Sequence, residues 1–99
     1  MAQTQTIGKT ATKVFTNEEG EKCVKYHNTI VFKTNFEKNL IILNSGGWRT
    51  VTTKLRINQA LNQFNLDYGV FQKNYEWFVK NYKNSEVVPF LDGIELIIV

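Results

Sequence analysis

A pair of glycines, Gly46 and Gly47, separates strand-like patterns from the only helical pattern of the chain. Paired glycines permit backbone angles that other residues resist, so they end the short apolar segment Leu40–Leu43 and begin a turn. After the turn, Thr52 or Thr53 is predicted to cap a helix, because a threonine hydroxyl can accept from the free N–H groups of the first helical turn. The predicted helix runs to about residue 65.

The predicted helix has an apolar side and a polar side. At 3.6 residues per turn, one stripe is apolar and predicted to be buried, and it contains Ile57, Ala60, Leu61 and Phe64. The opposite side contains Leu55, Asn58, Gln59 and Asn62. Leu55 is an apolar residue on this polar side, so it either folds back onto Val51 or contacts a partner.

The other segments carry strand patterns separated by turn residues. Strands are predicted over residues 7–16, 22–33, 40–43, 68–72 and 75–80, with strand-like pieces at 87–91 and 94–99 around Asp92-Gly93. The second has period two, with Val24, Tyr26, Asn28, Ile30 and Phe32 on one face and Cys23, Lys25, His27, Thr29, Val31 and Lys33 on the other. The order β-β-β-α-β-β-(β) predicts an α+β fold with a single helix packed on a mainly antiparallel sheet.

Composition limits the class of protein. A chain of 99 residues, 42% of them hydrophobic, suits one domain over 1–99, with the mostly polar residues 1–5 frayed. The single cysteine excludes an internal disulfide and fits a reducing cytoplasm. We find neither a signal peptide nor an apolar run long enough to span a membrane. The net charge of +3 favours acidic partners without resembling a polybasic tail.

Positive charge is concentrated around the glycine turn. Both arginines lie there, and no acidic residue occurs between positions 38 and 66 to pair with Arg49, Lys54 or Arg56. A helix start with exposed N–H groups and unpaired basic side chains favours an anion. The predicted anion or nucleic-acid site is Gly46, Gly47, Trp48, Arg49, Thr50, Thr53, Lys54 and Arg56. The alternative is structural: the glycines make a turn, Trp48 fills the core and the threonines cap the helix.

Aromatic side chains near the basic residues suggest base stacking. Trp48 and Tyr26, with His27 as a further neighbour of the site, could stack on bases of single-stranded nucleic acid. The alternative is that these rings are core or cross-strand contacts, as most aromatics of a small β-rich domain are. The chain lacks the RNP1, KH and zinc-knuckle motifs, so no named nucleic-acid fold is predicted.

Catalysis and metal binding are not predicted. His27 is the only histidine, and Cys23, four residues earlier, would lie roughly 13 Å away along one strand, too far for a thiol–imidazole hydrogen bond. One histidine and one cysteine do not make a zinc site. The carboxylates are scattered, so no acid pair is marked out. We therefore expect no enzyme activity, no catalytic residue and no cofactor.

Several motifs resemble small proteins of tailed bacteriophages that have no assigned activity. They are Tyr26-His27-Asn28-Thr29, Ile42-Leu43-Asn44-Ser45-Gly46-Gly47-Trp48-Arg49-Thr50, Thr52-Thr53-Lys54, Arg56-Ile57-Asn58, Gln72-Lys73 and Glu76-Trp77. The resemblance covers most of the chain between the first and last of these motifs. It implies a phage origin and action inside an infected bacterium, and it transfers no catalytic residue.

Three functional hypotheses follow. The first is a non-enzymatic protein that binds nucleic acid, or host machinery that handles it, through the glycine turn and helix start. The second is an inhibitor of a host or anti-phage defence enzyme, with Leu55, Gln59 and Asn62 in contact with the partner. The third is a nucleotide-binding or nucleotide-sequestering module. Convergence of Arg49, Lys54, Arg56 and His27 on a concave surface would favour a ligand site, whereas divergence would favour the inhibitor or a purely structural role.

Overall fold

The fold is α+β, as predicted, with one helix and antiparallel sheets. The computed structural model describes residues 11–98. Its elements are β1 (Thr12–Thr16), β2 (Lys22–Tyr26), β3 (Thr29–Asn35), β4 (Leu40–Leu43), α1 (Val51–Gln63), β5 (Tyr68–Lys73), β6 (Glu76–Asn81), β7 (Val87–Pro89) and β8 (Ile94–Ile97). The order has one more strand on each side of the helix than predicted. The predicted frayed end at 1–5 and the strand start at 7–10 lie outside the described residues.

The strands form two sheets, whereas one was predicted. The first has the order β1-β2-β3-β4-β8 and the second the order β5-β6-β7, and every pairing is antiparallel. The turn at Asp92-Gly93 lies between β7 and β8, which belong to different sheets. That turn therefore connects the sheets. Local turn signals could not reveal this, because β8 pairs with β4, about fifty residues earlier in the chain.

Residues 22–33 form a hairpin, and the prediction of one continuous strand was wrong. His27 has a φ of 55° and turns the chain, and its backbone N–H donates to the carbonyl of Ala11 at 2.8 Å. The register then shifts between Val24 and Lys25, which leaves Val31 as an extra residue in β3. This bulge turns Val31 inward beside Phe32, and both are fully buried. The alternation had placed Phe32 and Val31 on opposite faces of the strand, but the bulge buries both side chains.

The helix begins two to three residues earlier than predicted. Thr50 is the N-cap, and its hydroxyl oxygen accepts from the backbone N–H of Thr53 at 3.2 Å. A threonine in extended conformation before the first turn suits this role better than Thr52 or Thr53, which lie inside the helix. The predicted stripe is confirmed for Ile57, Ala60 and Leu61, which are fully buried, and Phe64 stacks on Phe32 at 5.5 Å between ring centroids.

The polar side of the helix is only partly exposed. Leu55 and Asn62 face solvent, as expected, and Gln59 is half-buried. Asn58 differs, because its side-chain amide donates to the carbonyl of Val70 at 2.9 Å and accepts from its N–H at 2.8 Å. Asn58 therefore caps the edge of β5 that faces the helix, and it holds the second sheet against α1.

Candidate functional site

A pocket of about 390 Å³ lies between the β2–β3 hairpin and the segment that leads into α1. We call it the ring pocket. Its lining residues are Tyr26, His27, Asn28, Thr29, Val31, Ser45, Trp48, Thr50 and Thr53. Five of them were predicted as site residues or site neighbours, namely Tyr26, His27, Trp48, Thr50 and Thr53. The hairpin residues Asn28, Thr29 and Val31 were missed, because the turn and the bulge that place them were not predicted.

Gly46 brings the two walls of the ring pocket together. Its φ is 64°, and a Cβ at this position would collide with the side chain of Thr29. Glycine is therefore required twice, for its backbone angle and for its close approach to the hairpin. Gly47 also has a positive φ of 83°, but a Cβ there would meet open space.

Trp48 projects from a held segment into solvent. The backbone N–H of Trp48 donates to the carbonyl of Ser45 at 3.0 Å, and the backbone carbonyl of Trp48 accepts from the N–H of Thr50, also at 3.0 Å. The side chain is nevertheless 69% exposed. Trp48 is thus not a core residue, and the structural alternative for this ring is wrong. An exposed tryptophan on a fixed backbone at the edge of a pocket is suited to contact a ligand.

Asp92 accepts hydrogen bonds from Ser45, the residue before the two glycines. Its carboxylate accepts from the backbone N–H of Ser45 at 2.8 Å and from the hydroxyl of Ser45 at 2.7 Å. Burial alone would raise the pKa of Asp92, but the bonds from Ser45, the charge of Arg49 and a backbone bond from Gly47 hold the pKa below its usual value. The turn does attract an anion, and that anion is a carboxylate of the chain itself. Binding of an external anion at Gly46 and Gly47 stays a prediction.

Arg49 points away from the ring pocket and towards the second sheet. Its guanidinium lies 5.6 Å from the ring centroid of Trp77 and 5.1 Å from that of Phe90, and it donates to the carbonyl of Phe90 at 3.4 Å. Both rings are buried. The cation–π contacts therefore fasten the turn to the second sheet.

Arg56 is buried behind the ring pocket. It is 7% exposed, its Nε donates to the hydroxyl of Thr12 at 2.9 Å, and its guanidinium lies 5.7 Å from the ring centroid of Tyr26. A further bond joins it to Gln59 at 3.3 Å. The ion pairs found within residues 11–98 do not include it. Direct contact between Arg56 and an external phosphate, as predicted, does not fit this burial; the side chain instead supports Tyr26 and adds positive charge behind it.

The basic residues named from the sequence do not converge. Arg49 contacts the second sheet and Arg56 lies behind Tyr26, whereas Lys54 is half-buried in the first helical turn. Of these three residues and His27, only His27 lines the ring pocket. By the criterion stated above, this divergence weakens the original anion site. It favours the inhibitor or a purely structural role for these basic residues.

A second, basic cavity adjoins the first. It has a volume of about 360 Å³ and is lined by Ala11, Thr12, Lys13, Lys25 and His27. We call it the lysine groove. His27 lines both cavities, so they share a wall. None of the described residues that line either cavity is acidic. The two lysines were not predicted as site residues.

Cys23, the single cysteine of the chain, lies in the core. Cys23 is fully buried and donates to the carbonyl of Glu21 at 3.7 Å, and burial raises the pKa of its thiol. A buried, protonated thiol is a poor nucleophile. No cluster of three or more metal-ligating side chains occurs within residues 11–98. The same residues include no helix that is both long and apolar enough to cross a membrane.

Comparison with known proteins identifies the family. No curated protein and no solved structure matches the chain. The family model described as Kyanoviridae Gp96 protein matches residues 1–97. This agrees with the resemblance to phage proteins, although it does not test the individual motifs. Because the match covers nearly the whole chain, the protein belongs to the Kyanoviridae Gp96 protein family, a family of phage proteins.

Proposed function

We propose that the protein is a non-enzymatic binding protein for single-stranded nucleic acid, acting in the cytoplasm of the infected bacterium. The observation that carries the proposal is the ring pocket, where Tyr26, His27 and Trp48 line one cavity. Single-stranded nucleic acid is commonly bound by stacking its bases on aromatic side chains next to positive charge. In this proposal a base enters the ring pocket and stacks on Trp48.

The electrostatic surroundings support an anionic ligand. Arg56 lies against Tyr26 and is bound to neutral groups, so its charge is not cancelled by a carboxylate of residues 11–98. A charge in a partly desolvated position is screened less than one at the surface. The positive potential of Arg56 therefore reaches the ring pocket through Tyr26, although the guanidinium itself touches no ligand.

The shape of the site favours single strands over duplex. A base can enter a cavity between two chain segments only when it is unstacked and unpaired. Many duplex readers instead place a helix in the major groove. The only helix of residues 11–98 is poorly suited to that, because Arg56 is buried and Leu55 is exposed.

Binding of short labelled strands tests the proposal. Fluorescence anisotropy with mixed-sequence DNA and RNA, single- and double-stranded, should show preference for single strands at low salt. Trp48→Ala should weaken binding about 5- to 150-fold, since one base–aromatic stack contributes about 1–3 kcal/mol. Tyr75→Ala is the matched control, because Tyr75 is 95% exposed at the turn between β5 and β6 and lines neither cavity.

Two results would contradict the proposal. One is the lack of single-strand binding at low salt. The other is an equal loss in the Trp48→Ala and Tyr75→Ala proteins, which would indicate unspecific contact with any exposed ring. Tryptophan fluorescence gives a second readout, because Trp48 is exposed whereas Trp77 is buried. Quenching by an oligonucleotide should therefore come from Trp48 and disappear in Trp48→Ala.

A second candidate is inhibition of a host or defence enzyme by direct docking. Val51 is 75% exposed and Leu55 is 46% exposed, and residues four apart lie on the same side of a helix. With Trp48 they give the helix start an apolar surface. A partner pulled from nuclease-treated host lysate should be lost with Leu55→Asp if this role is correct. The same substitution should leave single-strand binding unchanged, because Leu55 lines neither cavity.

A further inference from the structure

The lysine groove has an unusual pair of like charges. Lys13 and Lys25 lie directly opposite each other on β1 and β2. Like charges in this arrangement destabilise an antiparallel pair. Neither lysine forms an ion pair within residues 11–98, and residues 1–10 contain no Asp or Glu that could neutralise them. The pair therefore costs stability in the free protein.

We infer that the lysine groove is a phosphate subsite, and that it binds the backbone of the same strand whose base occupies the ring pocket. This inference rests on the proposed function. An anion between Lys13 and Lys25 would turn their repulsion into two attractions. Lysine suits this role because its ammonium group has three donors on a flexible stem and can follow a phosphate without strict geometry.

His27 joins the two subsites. It lines both cavities, and its backbone N–H donates to the carbonyl of Ala11. Its imidazole ring contacts the ring of Tyr26, with 4.3 Å between the centroids. The two cavities thus share the residue His27. In a nucleotide, a single sugar joins the base to its phosphate. Adjacent cavities, one aromatic and one basic, therefore match the two ends of one nucleotide unit within a strand.

Other anions fit this arrangement less well. A carboxylate of a protein partner could bind two lysines, but it would leave the ring pocket unexplained. A free mononucleotide would present the same ring and phosphate, but it lacks the further nucleotides of a strand. We favour the strand because the volume of the groove, about 360 Å³, exceeds the need of a single phosphate.

The salt dependence of binding tests the inference. Affinity for a single-stranded oligonucleotide falls with salt, and the slope of the logarithmic plot decreases by about 0.7 for each phosphate contact that is lost. The double variant Lys13→Ala/Lys25→Ala should reduce the slope by about 1.4 if each lysine neutralises one phosphate. Lys73→Ala/Lys80→Ala is the matched control, since both of these lysines lie in the second sheet and should leave the slope unchanged.

The outcomes separate the inference from the proposed function. If the wild type binds and Trp48→Ala weakens binding, but the slope of the Lys13→Ala/Lys25→Ala protein is unchanged, the phosphate subsite is wrong and the nucleic-acid function stands. If no strand binds, the proposed function is wrong. A titration with inorganic pyrophosphate then tests the phosphate subsite by itself. It is monitored by the NMR shifts of the backbone amides of residues 13, 25 and 27. Shifts that vanish in the double variant support it, and an absence of shifts in the wild type overturns it.

Discussion

The glycine turn and the lysine groove are both basic, yet their polar groups differ in how far the protein itself satisfies them. In the glycine turn, Asp92 accepts from Ser45, and Arg49 lies over two buried rings. In the lysine groove, Lys13 and Lys25 face each other without a counter-charge in residues 11–98. The acceptor in the glycine turn is supplied by the protein, whereas an anion in the lysine groove would have to come from a ligand. The comparison therefore favours a structural role for Ser45 and Asp92 in the turn, and it fits the binding role proposed for the groove.

Gly46→Ala should give the largest effect on stability and tests the structural role of the turn. The substitution places a side chain at a φ of 64° and against Thr29, so we expect a loss of about 2–4 kcal/mol in the free energy of unfolding. Gly47→Ala is the control, because it carries the strained angle but meets open space. Urea unfolding followed by circular dichroism measures both. Equal losses would mean that contact with the hairpin contributes nothing.

Asp92→Ala should have the next largest effect. It leaves the N–H and hydroxyl of buried Ser45 without their acceptor, which costs about 1–3 kcal/mol. Asp67→Ala is a suitable control, because Asp67 forms an exposed ion pair with Lys83, and such pairs contribute about 0–1 kcal/mol. If the turn were instead an open anion site, Asp92→Ala would not destabilise the protein and would strengthen phosphate binding there.

Acid should weaken the same contact. The folded pKa of Asp92 is lowered, so the folded state binds this proton less readily than the unfolded state. The stability from Asp92 is complete above the usual carboxyl pKa and is lost as the pH falls through the lowered folded value. The wild type should therefore lose more stability than Asp92→Ala as the pH falls from the usual carboxyl range through the lowered folded pKa. Parallel curves for the two proteins would show that the carboxylate is not stabilised in the fold.

The sequence predicted local features well. The helix stripe and the α+β class follow from short-range periodicity, and Trp48, Thr50, Thr53, Tyr26 and His27 do line one pocket. Contacts between residues far apart in the sequence were harder to predict. Asp92 meets Ser45 across 47 residues, so the absence of nearby acid in the sequence did not mean absence in space. Likewise, Arg56 on the helix was expected near solvent, but packing against Tyr26 buries it.

The lysine groove was one residue beyond the reach of sequence reasoning. The predicted turn at 17–20 is centred between residues 18 and 19 and would pair Lys13 with Val24, whereas the observed register is centred on residue 19 and pairs Lys13 with Lys25. The predicted strand over 22–33 concealed the groove further, because it placed His27 in mid-strand instead of at a turn. Without a turn at His27, the β2–β3 hairpin and the pocket behind it could not be predicted. His27-Asn28 contains no glycine, and alternation continues across it, so the turn leaves only a weak signal.

Lys25→Glu should have the smallest effect on stability, and it tests most directly whether the lysine groove binds a ligand. It replaces a repulsive cross-strand pair with an attractive one, so the free energy of unfolding should rise by about 0.2–1 kcal/mol. Because it also introduces a negative charge into the lysine groove, binding of single strands should fall at the same time. A stabilising substitution that reduces binding is expected where a protein retains an unfavourable charge for its ligand. Lys80→Glu in the second sheet is the control and should leave binding unchanged. Thermal unfolding and anisotropy measured on the same samples check both effects, and a protein that is more stable but binds equally well would remove the lysine groove from the binding site.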